Sequence, residues 1–142
     1  MKNQRHFFLL CLFACLTLTT TTVRAQTQLA CHGTAQPGRV AELLFGRDVR
    51  DKLAVSDRDW AAFVARELTP RFPSGLTASD ALGQWRDPAS RKIVREKTKH
   101  VEIVLPGNAD DDGRLAAVIE AYKHRFHQQS VGLIVRDACV SF

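Results

Sequence analysis

Residues 101–135 read VEIVLPGNADDDGRLAAVIEAYKHRFHQQSVGLIV and encode a strand, a helix and a second strand. Apolar and polar side chains alternate over residues 101–105, which is typical of a half-buried strand. A helix is predicted from about residue 110 to residue 130, because its apolar residues recur at helical spacing: Leu115, Val118, Ile119, Tyr122 and Phe126. Alternation returns over residues 131–142, which predicts the last strand. The segment therefore indicates a mixed α and β domain.

A strand and a helix are also predicted near the start of the domain. Residues 39–49 contain a dense apolar run flanked by glycines, which suits a buried strand. The helix is expected to begin at Ser56, which together with Asp59 resembles a capping box. Pro70 and Pro73 are expected to end it, because proline cannot continue a helix without losing a hydrogen bond.

Two further strands, residues 76–86 and residues 95–105, are separated by a turn over residues 87–90 and should pair as a hairpin. The complete order is strand, helix, strand, strand, helix, strand. This order predicts an α+β domain of the ferredoxin-like βαββαβ type, with a four-stranded antiparallel sheet and two helices on one face. The opposite face needs a cover, and we expect either a homodimer through this open face or a ligand cleft on it.

The chain divides into a predicted signal peptide at residues 1–25, a polar lead-in at residues 26–38 and a single domain at residues 39–142. An alternative is a lipoprotein signal with its acceptor at Cys15. The signal holds three of the 20 basic residues and none of the 15 acidic ones, so the net charge falls from +5 to +2 on its removal. This small charge argues against a nucleic-acid partner. No transmembrane segment is expected after signal removal.

Cys31 and Cys139 are the two cysteines outside the predicted signal. The predicted signal peptide indicates a periplasmic or extracellular location. An exported chain with two cysteines most simply forms one disulfide. The alternative is a pair of free, buried thiols.

Four short motifs resemble the domain-of-unknown-function 3574 family of exported bacterial proteins. They are TPRFPSGLT at residues 69–77, GQWR at 83–86, REKTK at 95–99 and YKHRFHQQSV at 122–131. The similarity extends over residues 40–142, although Ser74 stands where the family favours aspartate. The resemblance implies a small exported ferredoxin-like domain, and it implies no activity.

The polar residues of the predicted hairpin offer the strongest candidate site. Asp80 alternates with apolar residues, so we expect it to face inward and to pair with Arg86 or Arg95. The set either binds a small polar or anionic ligand or forms a structural ion-pair network. The candidate ligand-binding residues are Asp80, Gln84, Trp85, Arg86, Arg95, Lys99 and Tyr122.

No catalytic, metal or cofactor residues are predicted. His124 and His127 share a helix, but two imidazoles are too few for a structural zinc site. The chain has no nucleophile elbow, no P-loop and no dinucleotide motif.

The leading hypothesis is an exported, non-enzymatic domain that binds a small molecule or a protein partner. One alternative is a small dimeric enzyme similar to the antibiotic-biosynthesis monooxygenases, with a pocket lined by Trp85, Arg95, His100 and Tyr122. A second alternative is a purely structural protein of the cell envelope.

Overall fold

A computed structural model describes residues 30–49 and 52–142. The predicted signal peptide, the lipoprotein alternative at Cys15 and the first residues of the lead-in lie outside the described residues. Among the described residues, no helix is both long enough and apolar enough to cross a membrane.

Six strands and two helical segments make up the described part of the chain. The strands are β1 (Gln36–Gly46), β2 (Asp48–Val49), β3 (Lys52–Leu53), β4 (Thr77–Arg86), β5 (Ile93–Leu105) and β6 (Gly132–Val140). The first helical segment consists of α1 (Asp57–Phe63), a π-helical turn at Val64–Leu68 and α2 (Thr69–Arg71). The second is α3 (Asp111–Phe126). The short β2–β3 hairpin was not predicted.

Four of these strands form one antiparallel sheet in the order β4-β5-β1-β6. The sheet confirms the predicted α+β class and the predicted pairing of β4 with β5. Because β1 lies between β5 and β6, its hydrogen bonds join the two halves of the chain.

The core lies between one face of the sheet and the helices. Ala41, Leu43 and Phe45 alternate along β1 and are fully buried, since each points toward the helical layer. Phe63 from α1 and Tyr122 from α3 meet the ring of Phe45 with centroid distances of 6.0 and 4.7 Å. Both helices therefore pack on the same face, as expected from the amphipathic pattern.

The predicted helix that begins at Ser56 is present and contains a π-helical turn. Its capping box is present, with the Asp59 amide donating to Ser56 Oγ over 3.2 Å. The helical segment passes Pro70 and ends at Arg71, before Pro73, so it ends between the two prolines that were predicted to end it. The Thr69 amide donates to Val64 five residues earlier, and this wider π turn accommodates a proline that has no N–H to donate.

The predicted disulfide joins Cys31 in the lead-in to Cys139 near the end of β6. The two residues are 108 positions apart in sequence, and their Cα atoms are 5.5 Å apart. The alternative of two free thiols does not hold. The bond ties the N-terminal lead-in to an edge strand of the sheet.

Candidate functional site

The face of the sheet opposite the helices carries a cleft of about 840 Å³. Gly46 at the end of β1 and Gly83, Trp85, Glu96 and Thr98 of the β4–β5 hairpin line its floor. Residues 127–130, which follow α3, form one wall, and the turn of the hairpin contributes the other. The cleft thus lies where β1 ends and the hairpin extends beyond it.

Glycine shapes the floor of the cleft at two positions. A Cβ on Gly46 would lie 2.7 Å from the carboxyl carbon of Glu96, and a Cβ on Gly83 would lie 2.6 Å from Thr98 Oγ1. Such distances are too short for real side chains, so a side chain at either position would displace the group that now lies against it. Gly46 consequently allows the carboxylate of Glu96 to lie directly over the main chain of β1.

Glu96 is the titratable group at the centre of this floor. Burial raises its pKa, while hydrogen bonds to the backbone of Asp48 and to the indole of Trp85 act in the opposite direction. The negative charge of Asp48 also raises the pKa. A carboxyl group with a raised pKa in a cleft is a common property of functional sites.

The wall formed by residues 127–130 is fixed to the sheet. His127 ends α3 in the left-handed conformation, with φ of 55°, and turns the chain away from the helix axis. The Gln128 side-chain amide then donates to the carbonyl oxygen of Asp48 over 3.2 Å. This contact holds the wall beside β2 and keeps the cleft preformed.

Acidic side chains predominate among the charged groups that line the cleft. Asp48, Asp87 and Glu96 contribute three carboxylates, whereas Lys92 contributes one ammonium group. Among the described residues there is no group of three potential metal ligands. The charged groups that line the cleft therefore sum to a net negative formal charge.

Gly46→Ala tests the geometry of the floor. The new Cβ would displace the Glu96 carboxylate, so we expect at least tenfold weaker binding of any ligand that contacts Glu96, whereas stability should fall by less than about 1 kcal/mol because the flexible end of that side chain can move. Gly113→Ala in α3 is the control, because a Cβ there meets nothing within 4 Å. It should leave binding unchanged and stabilise the helix by about 0.5–1 kcal/mol. Equal affinities for the two variants would contradict this role of Gly46.

The structure places the seven predicted site residues in three different environments. Trp85 lies in the cleft, whereas Tyr122 has an exposed fraction of 0% and belongs to the core. The antiparallel register places the remaining five on the opposite, helix-side face of β4 and β5: Asp80, Gln84, Arg86, Arg95 and Lys99. Of these five, Gln84 also lines the cleft.

Asp80 does not pair with Arg86 or Arg95, so that prediction is wrong. Asp80 stands directly opposite Lys99 in the register, and its carboxylate lies 2.6 Å from Lys99 Nζ. The hydrogen bond from Lys99 is the main reason why the pKa of Asp80 is lowered. Asp80 is also exposed, and buried Arg47, at 3.7 Å, is its second partner. These ion pairs form a network that includes Asp57 at the start of α1, where Arg47 Nη2 lies 3.0 Å from the carboxylate.

Glu96 was one of the polar residues of the predicted hairpin, but neither Glu96 nor Gly46 was predicted to bind a ligand. The signal for Glu96 was its position in β5, since it alternates with Arg95 and Lys97 and must lie on the same face as Trp85 of the paired strand. Gly46 was interpreted only as a glycine that flanks the apolar run of the first predicted strand. Its role depends on the approach of a side chain that is 50 residues away, and no local pattern reveals such an approach.

A model of the family described as "Protein of unknown function (DUF3574)" matches residues 40–142. The chain belongs to the DUF3574 family. The match covers all six strands except the first residues of β1, and it confirms the resemblance seen in the four sequence motifs. The cleft and the ion-pair network are thus features of a DUF3574 domain. No curated protein matches this chain.

Two solved structures of a phage SAM lyase are similar to this DUF3574 domain. The complex with S-methyl-5'-thioadenosine has a TM-score of 0.59 at 17% identity, over 82% of this chain and 97% of that one. The apo state has a TM-score of 0.56 at 19% identity, over 80% of this chain and 90% of that one. At this level of identity the similarity is one of fold.

Proposed function

We propose that this DUF3574 domain binds a small, positively charged organic molecule in the cleft on the open face of the sheet. The observation that supports the proposal is the carboxylate of Glu96, which lies over Gly46 and beside the indole of Trp85. A carboxylate supplies the countercharge, and an aromatic ring adds a cation–π contribution for an ammonium or sulfonium group. The preformed wall at residues 127–130 reduces the entropy lost on binding.

The first compound to test comes from the structural neighbour. SAM carries a sulfonium cation, whereas S-adenosylhomocysteine is the corresponding neutral thioether with the same nucleoside and the same amino-acid chain. Calorimetric titration of both compounds therefore isolates the contribution of the positive charge. Choline and spermidine extend the panel to quaternary and protonated amines. If none of the cations binds more tightly than the neutral thioether, the proposal is wrong.

Glu96→Gln removes the charge and preserves the shape of the side chain. Because hydrogen bonds to a charged group contribute about 1.5–3 kcal/mol, we expect the affinity for a cationic ligand to fall roughly 10- to 100-fold. Glu102→Gln is the matched control, since Glu102 lies on the same strand and the same face but outside the cleft. Similar losses in both variants would point to a general effect of charge and not to a site.

The raised pKa of Glu96 sets the direction of the pH dependence. Affinity for SAM should fall as the pH is lowered through that pKa, which lies above the usual value of 4.5, because the protonated carboxyl group loses its charge. The sign for stability is opposite: an acid whose pKa is raised by folding contributes stability that is complete below its ordinary pKa and is lost as the pH rises through the raised pKa. Glu96→Gln should therefore melt slightly higher than the wild type at neutral pH, and this difference should shrink in acid.

An enzymatic function is the second candidate. It is supported by the similarity in fold to a phage SAM lyase and by the ionisable Glu96 in the cleft. Incubation with SAM, followed by mass spectrometry of the products, distinguishes the two functions. Intact SAM at equilibrium supports a binding domain, whereas time-dependent breakdown that is lost in Glu96→Gln supports an enzyme.

We also propose that the domain is exported and of the ferredoxin-like type. The disulfide and the apolar segment near the N-terminus support export, and the strand order β4-β5-β1-β6 supports the ferredoxin-like topology. Ile134 lies outside the cleft and leaves exposed apolar surface on the open face, which supports a homodimer through the part of that face that the cleft does not occupy. The mass of the purified native protein tests both processing and subunit number.

A further inference from the structure

The outer half of the β4–β5 hairpin, residues 82–97, extends beyond the helical layer as an arm with two unlike faces. One face is the floor of the cleft. The other face, which we call the basic face, consists of Leu82, Gln84, Arg86, Ile93, Arg95 and Lys97. The helices leave this face uncovered, as the exposed fractions of Leu82 (88%) and Ile93 (42%) show.

Positive charge is concentrated on this arm. Its residues include five basic and two acidic side chains, which gives a net charge of +3. Within the described residues, none of the five cations takes part in an ion pair, whereas the nearby Lys99 and Arg47 are neutralised by Asp57 and Asp80. The basic face itself has three cations and no carboxylate.

The arm is also a preshaped element. At its tip the Asp87 carboxylate accepts hydrogen bonds from the amides of Ala89 and Ser90 at 2.8 and 2.7 Å. Asp87 and Lys92 close the turn, with the Asp87 amide donating to the Lys92 carbonyl over 3.0 Å. Binding through the basic face would therefore require little ordering of the backbone.

We infer that the basic face binds the surface of an anionic lipid bilayer. Arginine and lysine near such a surface are attracted by its negative potential. Leu82, which lies beside Lys97, and Ile93, which lies beside Arg86, can enter the region of the headgroups. The combination of free cations with two exposed aliphatic side chains favours a bilayer over a soluble polyanion, which would leave the aliphatic groups in water. The three cations of the basic face, Arg86, Arg95 and Lys97, lie outside the lining of the cleft, whereas Leu82, Gln84 and Ile93 belong to both. Loss of the cations therefore tests the basic face separately from the cleft.

The test is cosedimentation with vesicles of phosphatidylcholine alone or with about 30% phosphatidylglycerol. We expect binding only to the anionic vesicles and a loss of binding as NaCl rises from about 50 to 500 mM. Arg95→Gln together with Lys97→Gln should weaken binding about 30-fold. Arg58→Gln together with Arg66→Gln removes the same charge from exposed positions of the helical layer and should leave vesicle binding nearly unchanged.

Leu82→Trp reports on insertion, because the fluorescence emission of the introduced indole should move to shorter wavelength on anionic vesicles. Equal binding to neutral vesicles, equal losses in the two double variants, or an unchanged emission spectrum would overturn the inference. Heparin or DNA that binds more tightly than vesicles would assign the face to a polyanion instead, and competition by millimolar inorganic phosphate would indicate a site for a free anion. Calorimetric titration of the Arg95/Lys97 variant with SAM keeps the failure of this inference distinct from that of the cleft.

Discussion

Replacement of Cys31 and Cys139 by alanine should lower the free energy of unfolding by about 4–5 kcal/mol. The disulfide joins residues that are 108 positions apart, so it removes a large amount of conformational entropy from the unfolded chain. For a domain of this size, the loss corresponds to a decrease in melting temperature of roughly 15–20 °C. It would be the largest effect of any change discussed for this protein.

Urea unfolding with and without a reductant measures this effect. The wild type should lose stability on reduction, whereas the double variant should not respond to the reductant at all. The single variants Cys31→Ala and Cys139→Ala should resemble the double variant, because either one abolishes the bond. A double variant within about 1 kcal/mol of the wild type would show that the unfolded chain gains little freedom when the bond is absent.

Tyr122→Ala should destabilise the domain by about 3–5 kcal/mol, which is the usual cost of removing a large aromatic side chain from a core. Tyr122 packs against Phe45, Phe63 and Phe126 with centroid distances of 4.7, 5.0 and 4.8 Å. Its hydroxyl donates to the carbonyl oxygen of Gly46 over 2.9 Å, and burial raises the pKa of the phenol. Thermal or urea unfolding gives the measurement.

Tyr122→Phe separates the hydrogen bond from the packing. It keeps the ring and leaves the Gly46 carbonyl unpaired in the interior, so we expect a loss of about 1–3 kcal/mol. Ligand binding in the cleft should persist in this variant, because Tyr122 lies beneath the sheet and Glu96 lies above it. A variant that is as stable as the wild type but no longer binds ligand would return Tyr122 to the list of ligand-contacting residues.

The regular elements of the domain could be predicted because each has a local signature. The alternation at Val101, Ile103 and Leu105 and the capping box at Ser56 were sufficient to place β5 and α1. The passage of the helix through Pro70 could not be predicted, since the rule against proline applies to an α-helix and the chain forms a π turn there. The β2–β3 hairpin was also missed, because two-residue strands have no periodicity to detect.

The candidate site was predicted only in part. Trp85 was selected for the correct region, and Arg86 and Arg95 of the basic face were selected together, although their assumed partner was wrong. Glu96 belonged to the polar set of the hairpin but was not selected as ligand-binding, because a single glutamate in a charged strand has no distinguishing sequence pattern. The pairing of Asp80 with Lys99 depends on the register of two strands, which the turn and the core fix together.

The sequence by itself determined the order of the elements, the face of each element that is buried, and the cysteine pair that forms the disulfide. These properties follow from periodicity and composition, which act over a few residues or over the whole chain. Only the tertiary structure decided that the carboxylate of Glu96 lies over Gly46 and that the two faces of the arm have different chemistry. Both depend on strand register and on how far β5 extends past the end of β1, and these are set by packing between residues that are distant in sequence.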